Sequence, residues 1–360
     1  MTEENYLMWL TRIDGIGIKK SQILLNNFEK AENVWKASAR LLQTIPALTE
    51  KNIHSIVKSR NDKLLHRYIL ELERKNIQFI SRKSADYPKR LRHIFDAPLG
   101  LYVLGNMPNQ DCVHVSIIGS RESTEYGRKV AYNLSQELVD QNCVIVSGMA
   151  RGIDSEAHRG TVDIKGMTIA VLGCGVDVCY PTENYILKER ILEHGCIISE
   201  FPPGTIPHSN NFPARNRIIS GLSDAVVVVE AAKKSGTFIT VDQALDQGKE
   251  VLAVPGNITS WFSEGTNLLI SEGAKIVTRG ADVLDALGII KNYAQVPSNQ
   301  NSLASDEKLI YDCIGFEPVA LDSIISTTNK TFSEVNYILV LLEINGLIQK
   351  IQGQRYIRSL

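Results

Sequence analysis

The chain has 360 residues, of which 44% are hydrophobic and 22% are charged. This composition is typical of a soluble globular protein with two or three domains, and it excludes a fibrous or disordered chain. No apolar run approaches the roughly 20 residues needed to cross a bilayer, and residues 1–10 do not resemble a secretory signal, so we expect a cytoplasmic protein without a membrane partner.

The formal net charge is only −1, but the charge is unevenly distributed. Residues 1–110 carry 18 Lys and Arg against 11 Asp and Glu, whereas residues 111–290 carry 15 against 22. Residues 291–360 carry 6 against 7. An anion site in the middle segment must therefore be a local cluster of cations and not a general basic field.

Residues 1–80 predict a helical domain of the helix-hairpin-helix or SAM-like kind. Between the first two predicted helices, Gly15 and Gly17 precede Lys19 and Lys20. This arrangement is similar to a hairpin whose backbone amides approach a phosphate, although the glycines could equally serve only a tight turn. Apolar residues recur at helical spacing in Tyr6–Leu10, Lys20–Phe28, Ala31–Ala37, Glu50–Val57 and Leu64–Lys75.

Residues 81–290 alternate β-type apolar runs with helical stretches, which predicts an α/β domain with a mainly parallel sheet. The predicted strands are Val113–Ile118, Val144–Val146, Thr168–Leu172, Ile197–Ser199, Ala225–Val229, Glu250–Val254 and Lys275–Val277. The predicted helices are Tyr126–Val139, Asp154–Thr161, Glu183–Leu192, Ala214–Leu222, Ile239–Gln247 and Asn267–Ser271.

The last part of the chain predicts a linker followed by a small third domain. Residues 291–302 are polar and are typical of a linker. Residues 303–360 have the pattern of a winged-helix domain, in which three helices precede a terminal hairpin. The helices are predicted at Asp306–Ile314, Val319–Ile325 and Thr331–Ile344, and the hairpin strands at Leu347–Ile351 and Arg355–Ile357.

Three of the predicted core strands end in loops that could bind an anion. The carboxyl ends of parallel strands line one crevice, so we expect these loops to converge. Gly, Ser and Thr at helix starts offer N–H and hydroxyl donors, and arginine adds a fork-shaped cation that suits phosphate oxygens. The loops are Gly119-Ser120-Arg121, Ser147-Gly148 with Arg151, and Ser235-Gly236-Thr237.

A fourth element of the candidate site is the stretch Phe212, Arg215, Asn216 and Arg217, which combines an aromatic face with charge and hydrogen-bonding groups. For any single arginine, an ion pair with a neighbouring carboxylate is the alternative explanation. Four arginines at the mouth of one acidic domain favour anion binding instead.

Several other sites are not supported by the sequence. There is no G-x-x-x-x-G-K-[ST] phosphate loop, and Gly173-Cys174-Gly175 lacks the third glycine of a dinucleotide fingerprint. We interpret Asp154 as a helix N-cap and His158 as a packed helix residue, since no second metal ligand stands at a suitable spacing. The six cysteines predict buried free thiols. We therefore expect no cofactor, no metal and no catalytic residues.

Taken in order, these loops and several further motifs resemble the DNA-processing protein A (DprA, or Smf) family. The resemblance covers residues 86–280 without a gap, and its many short motifs follow one another in the family's order. They are Tyr87-Pro88, Ala97-Pro98-Leu99, Ile117 through Arg121, Tyr126-Gly127, Ser147 through Asp154, His158, Thr168 through Gly175, Tyr180-Pro181, Ser199-Glu200, Phe212 through Arg217, Ser235-Gly236-Thr237 and Val254-Pro255-Gly256.

The resemblance implies an extended Rossmann fold that binds single-stranded DNA in a basic pocket, forms a homodimer, and loads RecA recombinase onto incoming DNA during natural transformation. It implies no enzymatic activity. The DNA pocket would comprise Gly119, Ser120, Arg121, Ser147, Gly148, Arg151, Phe212, Arg215, Asn216, Arg217, Ser235, Gly236 and Thr237.

The sequence leaves two alternatives open. Related Rossmann-like enzymes cleave nucleotides with a Glu near a P-G-G-x-G-T loop, and Glu230 stands similarly before Ser235-Gly236-Thr237, but Lys233 and Lys234 replace the tandem glycines. A winged-helix regulator of duplex DNA is the other alternative. Against it, residues 291–360 carry only six basic side chains, so a protein contact is the favoured role for that domain.

Overall fold

The computed structural model describes residues 1–289, 305–315, 318–344, 346–351 and 353–358. The linker expected at residues 291–302 lies outside the described residues. The chain forms two compact units, Met1–Ile290 and Lys291–Leu360. Each unit is described by itself.

The first unit begins with helices, as the sequence predicts. Their apolar sides bury residues such as Trp9, Leu24 and Leu65 in one cluster with Tyr102 and Ala170 of the sheet, so helices and sheet share a hydrophobic core. The helices are α1 (Glu3–Leu10), α2 (Ile18–Phe28), α3 (Ala31–Lys36), α4 (Ala39–Leu42), α5 (Glu50–Ser59) and α6 (Asp62–Arg74).

A nine-stranded sheet forms the centre of this unit, and its strand order is β1-β2-β6-β5-β4-β3-β7-β8-β9. All neighbours from β6 to β9 are parallel, whereas β2 pairs antiparallel with β6 and β1 with β2. The strands are β1 (Ile77–Ser81), β2 (Gly100–Gly105), β3 (His114–Ile118), β4 (Val144–Ser147), β5 (Thr168–Val171), β6 (Cys196–Ser199), β7 (Ala225–Val228), β8 (Glu250–Ala253) and β9 (Lys275–Ile276).

Further helices cover both faces of the sheet, which confirms the expected Rossmann-like α/β class. On one face, Leu138 and Ala157 pack on Ile117 and Val227. On the other face, Ile218 and Val241 pack against strand residues that include Val226. The helices are α7 (Lys89–Arg92), α8 (Glu125–Asp140), α9 (Ile153–Asp163), α10 (Tyr185–His194), α11 (Asn211–Gly221), α12 (Thr237–Asp246), α13 (Glu264–Ser271) and α14 (Gly280–Ala286).

In its described residues, the second unit has three helices and a small sheet ordered β10-β12-β11, the winged-helix arrangement expected from the sequence. Ile324, Leu339 and Tyr356 are buried in its own core. The elements are α15 (Ser305–Cys313), β10 (Val319–Ala320), α16 (Leu321–Thr328), α17 (Phe332–Ile344), β11 (Ile348–Ile351) and β12 (Arg355–Arg358).

Three general features bear on function. Among the described helices, none is long and apolar enough to cross a membrane. The six cysteines are free thiols. The part of the chain that the structure describes contains no cluster of His, Cys, Asp and Glu side chains suited to a metal ion.

Candidate nucleic-acid interface

The candidate site is a cleft of about 920 Å³ at the carboxyl ends of the parallel strands. Strand β3 lies between β4 and β7, so the chain leaves β3 toward one side of the sheet and later returns on its other side. The loops after β3 and β7 therefore diverge over a crevice, which is where open α/β sheets bind their ligands.

The loop after β3 supplies the first wall and is fixed to the neighbouring β7 loop. The Ser120 amide donates a hydrogen bond to the Glu230 carbonyl oxygen over 2.8 Å. At Gly119, a Cβ atom would lie 2.7 Å from the Ile153 side chain, so a larger residue would push these segments apart. This fixed loop places the exposed Arg121 side chain at the cleft.

Arg121 lies over an aromatic platform. Its guanidinium carbon is 5.2 Å from the centroid of the Phe212 ring, which stacks on Tyr180 with centroids 5.6 Å apart and planes inclined by 30°. Beneath Phe212, a Cβ atom on Gly173 would lie 2.9 Å from the ring. Within the described residues Arg121 forms no ion pair, so its charge is available to a ligand.

Arg215 forms the buried base of the site, with only 4% of its surface exposed. Its Nη1 atom donates to the Val171 carbonyl oxygen over 2.7 Å. A Cβ atom at Gly148 would lie 1.6 Å from that same Nη1 atom. The position of the guanidinium therefore requires glycine at residue 148.

Around Arg215, the two cationic side chains outnumber the one buried carboxyl group. Asp154 accepts a hydrogen bond from the Gly148 amide over 3.2 Å, and burial raises the pKa of Asp154 against the attraction of Arg215. Burial lowers the pKa of Arg215, with opposite contributions from the Asp154 carboxylate and the Arg121 cation. Two guanidinium groups thus share one buried carboxyl group, and a bound anion would stabilise them.

The third wall follows β7 and leads into α12. Gly236 is the N-cap residue of this helix and has no side chain to cap it. The Thr237 amide donates to the Ser235 hydroxyl over 3.2 Å, and the Ser235 and Thr237 hydroxyls are 2.9 Å apart. Such a helix start, rich in N–H and hydroxyl groups, suits a phosphate oxygen.

Most of the site residues expected from the sequence come together in this cleft. Gly148 and Arg151 line a smaller adjoining pocket, together with Arg121, Phe212 and Arg215. Arg151 lies at its exposed edge and forms an ion pair with Glu183. The expected residues that line the main cleft are Gly119, Ser120, Arg121, Phe212, Arg215, Asn216, Ser235, Gly236 and Thr237.

Two expected residues, Ser147 and Arg217, line neither pocket and require a correction. Arg217 is buried and forms ion pairs with Glu200 at 2.7 Å and Asp96 at 2.9 Å. Ser147 is buried too, and its hydroxyl donates to the Ile117 carbonyl oxygen over 2.7 Å. Both side chains therefore serve the packing of the fold.

The expectation that Asp154 caps α9 is also wrong. The N-cap residue is Gly152, with a φ of 73°, and Asp154 is the second residue of the helix. His158 is packed in the helix, as expected, and its Nδ1 atom lies 2.7 Å from the Thr168 hydroxyl. Burial lowers the pKa of His158 to about 3.

Sequence reasoning missed several residues of the cleft, namely Lys233, Lys234, Ile239 and Trp261. The two lysines directly precede Ser235, so their position in the chain was a usable signal. Trp261 follows β8 by eight residues, and no periodicity or motif distinguishes it.

Glu230, the residue on which the nucleotide-cleaving alternative depends, is buried and does not line the cleft. Its carboxylate accepts hydrogen bonds from the Thr124 amide over 2.9 Å and from the Thr124 hydroxyl over 2.5 Å. Thr124 is the N-cap residue of α8. Glu230 thus fixes a helix start, and this geometry argues against a role as an acid or base toward a ligand.

Comparison with known proteins gives matches along nearly the whole chain. Residues 78–288 match the family described as DNA recombination-mediator protein A, and residues 294–354 match the DprA winged helix domain. Protein Smf from Synechocystis sp. is 33% identical over 99% of both chains. The DNA processing protein DprA from Bacillus subtilis is 37% identical over 70% of this chain and 88% of its own.

Two solved structures are similar. DNA processing protein A from Streptococcus pneumoniae aligns with a TM-score of 0.67 at 34% identity, covering 79% of this chain and 98% of its own. DNA processing protein A from Helicobacter pylori, described for its unique single-stranded DNA binding mode, aligns with a TM-score of 0.53 at 31% identity. That alignment covers 58% of this chain and 95% of the other.

Proposed function

Because the chain belongs to the DNA recombination-mediator protein A family, we propose that it binds single-stranded DNA in the cleft between the β3 and β7 loops. The observation that carries the proposal is Arg121, an exposed arginine over the Phe212 ring with no ion pair in the described structure. A nearby carboxylate would normally neutralise such a group, so its free charge favours an incoming phosphate.

The shape of the cleft favours one strand over two. Because Arg121 covers the Phe212 ring, a base would stack on the exposed Tyr180 ring or on the Arg121 guanidinium plane. It can do so only if its own face is exposed, as in a single strand. In a duplex the bases are already stacked on one another. The Helicobacter pylori relative, described as a single-stranded DNA-binding protein, supports the same ligand here.

The site proposed for DNA combines three kinds of group. Ser235, Gly236 and Thr237 present backbone and hydroxyl donors for phosphate oxygens at the start of α12. Gly119 and Ser120 shape the neighbouring loop, since the Ser120 amide and hydroxyl already donate to backbone carbonyl oxygens. The cations are Arg121 and Arg215 with Lys233 and Lys234, and the stacking platform is formed by Phe212 and Tyr180. Because these groups suit binding and no acid–base or metal centre is needed, the proposal includes no catalytic step.

The substitution Arg121→Ala tests the site. We expect weaker single-strand binding and a slope of log K against log salt that is less steep by about 0.7, the change for one lost phosphate contact on a single strand. Stability should change by no more than about 0.5 kcal/mol, since the side chain is exposed. Fluorescence anisotropy with a labelled oligonucleotide, at several salt concentrations, gives both the affinity and the slope.

A matched control is Arg159→Ala, which removes the same charge from a helix position outside the cleft. Arg159 forms a half-buried pair with Glu156, one turn away on α9. Its replacement should leave the salt slope unchanged. If Arg121→Ala also left the affinity and the slope unchanged, Arg121 would not belong to the site.

Family membership also supports two partners. A recombination mediator must pass DNA to a recombinase, so we propose RecA as the protein partner and a homodimer as the assembly that binds one strand with two clefts. Static light scattering should give twice the chain mass at micromolar concentration. RecA should assemble faster on a single strand when this protein is present, and a monomer with no effect on RecA would contradict both expectations.

A further inference from the structure

Trp261 is the most conspicuous side chain of the cleft that the proposed site does not use. It begins a short turn, Trp261–Ser263, and it lines the cleft with 60% of its surface exposed. The chain has three tryptophans. The other two, Trp9 and Trp35, contact each other in the hydrophobic core of the N-terminal helices, with ring centroids 4.8 Å apart.

The Trp261 ring is held in place although it is exposed. The Ala231 amide donates to the Phe262 carbonyl oxygen over 2.9 Å, and the Gly265 amide donates to the Ala231 carbonyl oxygen over 2.8 Å. The Phe262 ring packs edge-on against Trp261 at 5.6 Å. A ligand that stacks on Trp261 would therefore lose little entropy in ordering the turn.

Trp261 and Phe212 stand at different parts of the cleft. Phe212 packs over Gly173 beyond the end of β5, whereas Trp261 follows β8. Strands β4, β3 and β7 lie between β5 and β8, so the two strand ends are about 19 Å apart at the usual spacing of neighbouring strands. The two rings therefore belong to different walls of the cleft.

The groups between the two rings suit a phosphate backbone. Lys233, Lys234 and Ser235 follow β7, which lies between β8 and β3, and all three line the cleft. Both lysines are exposed, and within the described residues neither forms an ion pair. Glu264 also lines the cleft, close to Trp261 in the chain, and its charge repels phosphate. A base is therefore favoured over the backbone at the Trp261 wall.

We propose that Trp261 is a second base-stacking subsite, and that one DNA strand runs from Phe212 past Lys233 and Lys234 to Trp261. This inference rests on the proposed function, because it assumes that the cleft binds single-stranded DNA. It adds that the cleft holds at least two separate bases, and that the second is bound by stacking without regard to sequence.

The test uses the full chain with the variants Trp261→Ala and Trp261→Phe. Tyr185→Ala is the matched control, because Tyr185 is also 60% exposed and does not line the cleft. Affinity for a short oligothymidylate is measured by anisotropy, and tryptophan fluorescence is recorded in the same titration. Since Trp9 and Trp35 are away from the cleft, quenching by DNA would report on Trp261.

We expect Trp261→Ala to weaken DNA binding at least about fivefold, which is the low end of the loss for one stacked base. The affinity of Trp261→Phe should stay within about twofold of the wild type. DNA should quench the wild-type fluorescence and leave that of Trp261→Phe nearly unchanged. The subsite would be overturned if Trp261→Ala weakened DNA binding less than threefold, or no more than Tyr185→Ala does. Either result would leave the proposed function intact. A wild-type protein that binds no single strand would overturn both.

Discussion

At the scale of single residues, the site depends on glycines that leave room for the large side chains packed against them. Gly148 leaves the space that the Arg215 guanidinium occupies, and Gly173 leaves the space below Phe212. The positions of Arg215 and Phe212 thus depend on two glycines. The sequence does not reveal this dependence, because it appears only when helix α11 is placed beside the loops that contain the glycines. The arrangement makes the position of Arg215 sensitive to a single added methyl group.

Gly148→Ala should therefore lower both stability and DNA affinity. The new methyl group would lie where the Arg215 Nη1 atom now is, so the guanidinium must leave the Val171 carbonyl oxygen. Crowding of this kind costs about 1–3 kcal/mol. Urea denaturation and an oligonucleotide titration measure the two effects. For the denaturation, Gly17→Ala is the control, since nothing lies within 4 Å of the added Cβ atom and its φ is −80°. Equal behaviour of the two variants would contradict the packing argument.

The expected and observed roles of the arginines show what the sequence could predict at this scale. Arg121 reaches the cleft because it follows the end of strand β3. Arg215 reaches the cleft because it shares a face of helix α11 with Phe212. Arg217 lies five residues after Phe212, which turns it to another side of α11, where Glu200 and Asp96 are found. Helical spacing alone could have predicted that Arg215 and Arg217 lie on different sides of the helix. It could not have predicted the carboxylate partners of Arg217, because they come from distant parts of the chain.

At the scale of elements, the parallel strands were predictable because each is a short, fully buried apolar run between helices. Strands β1 and β2 were not predicted. β1 begins three residues after α6 ends, across a turn in which Asn76 has a φ of 52°, so it looks like the end of a helical region. β2 pairs antiparallel with β6, yet most of it is buried and it shows no polar alternation. Their existence depends on long-range pairing that local sequence does not encode.

The buried His158 of helix α9 contacts Thr168 of strand β5, and its burial makes the stability of the fold depend on pH. The pKa of His158 is lowered by burial to about 3 from its ordinary 6.5, and that of His114 to about 4. Below pH 6.5 the unfolded chain takes up protons that the folded chain cannot bind. The stability that these groups confer is therefore complete above pH 6.5 and decreases as the pH falls toward 3.

We expect the free energy of unfolding to fall between pH 6.5 and pH 4.5, and His158→Asn to reduce that slope by up to about 1.4 kcal/mol per pH unit, the value for one proton. The asparagine amide can replace the hydrogen bond between Nδ1 and the Thr168 hydroxyl, although the variant should be less stable at pH 7 because it fills less space. Urea denaturation at a series of pH values gives the slope. An identical slope in the variant and the wild type would show that His158 does not titrate in this way.

At the scale of the whole molecule, the charge distribution decides which mode of DNA binding is possible. Residues 111–290 carry more acidic than basic side chains, so the four cations of the cleft act locally and not as part of a basic surface. The second unit offers little for duplex DNA, because α17 exposes Tyr337, Val340 and Ile344 where a recognition helix would need basic and polar groups. The proposed binding therefore relies on the cleft, which suits one strand.

The most direct measurement is a titration of the full chain with matched single-stranded and duplex oligonucleotides at two or more salt concentrations. We expect single-strand binding to be at least about tenfold tighter, equivalent to about 1.4 kcal/mol. We also expect a slope of log K against log salt near −3, since four cations each contribute about 0.7 on a single strand. Equal affinities for the two forms of DNA would contradict the central claim that this cleft binds exposed bases as well as phosphates.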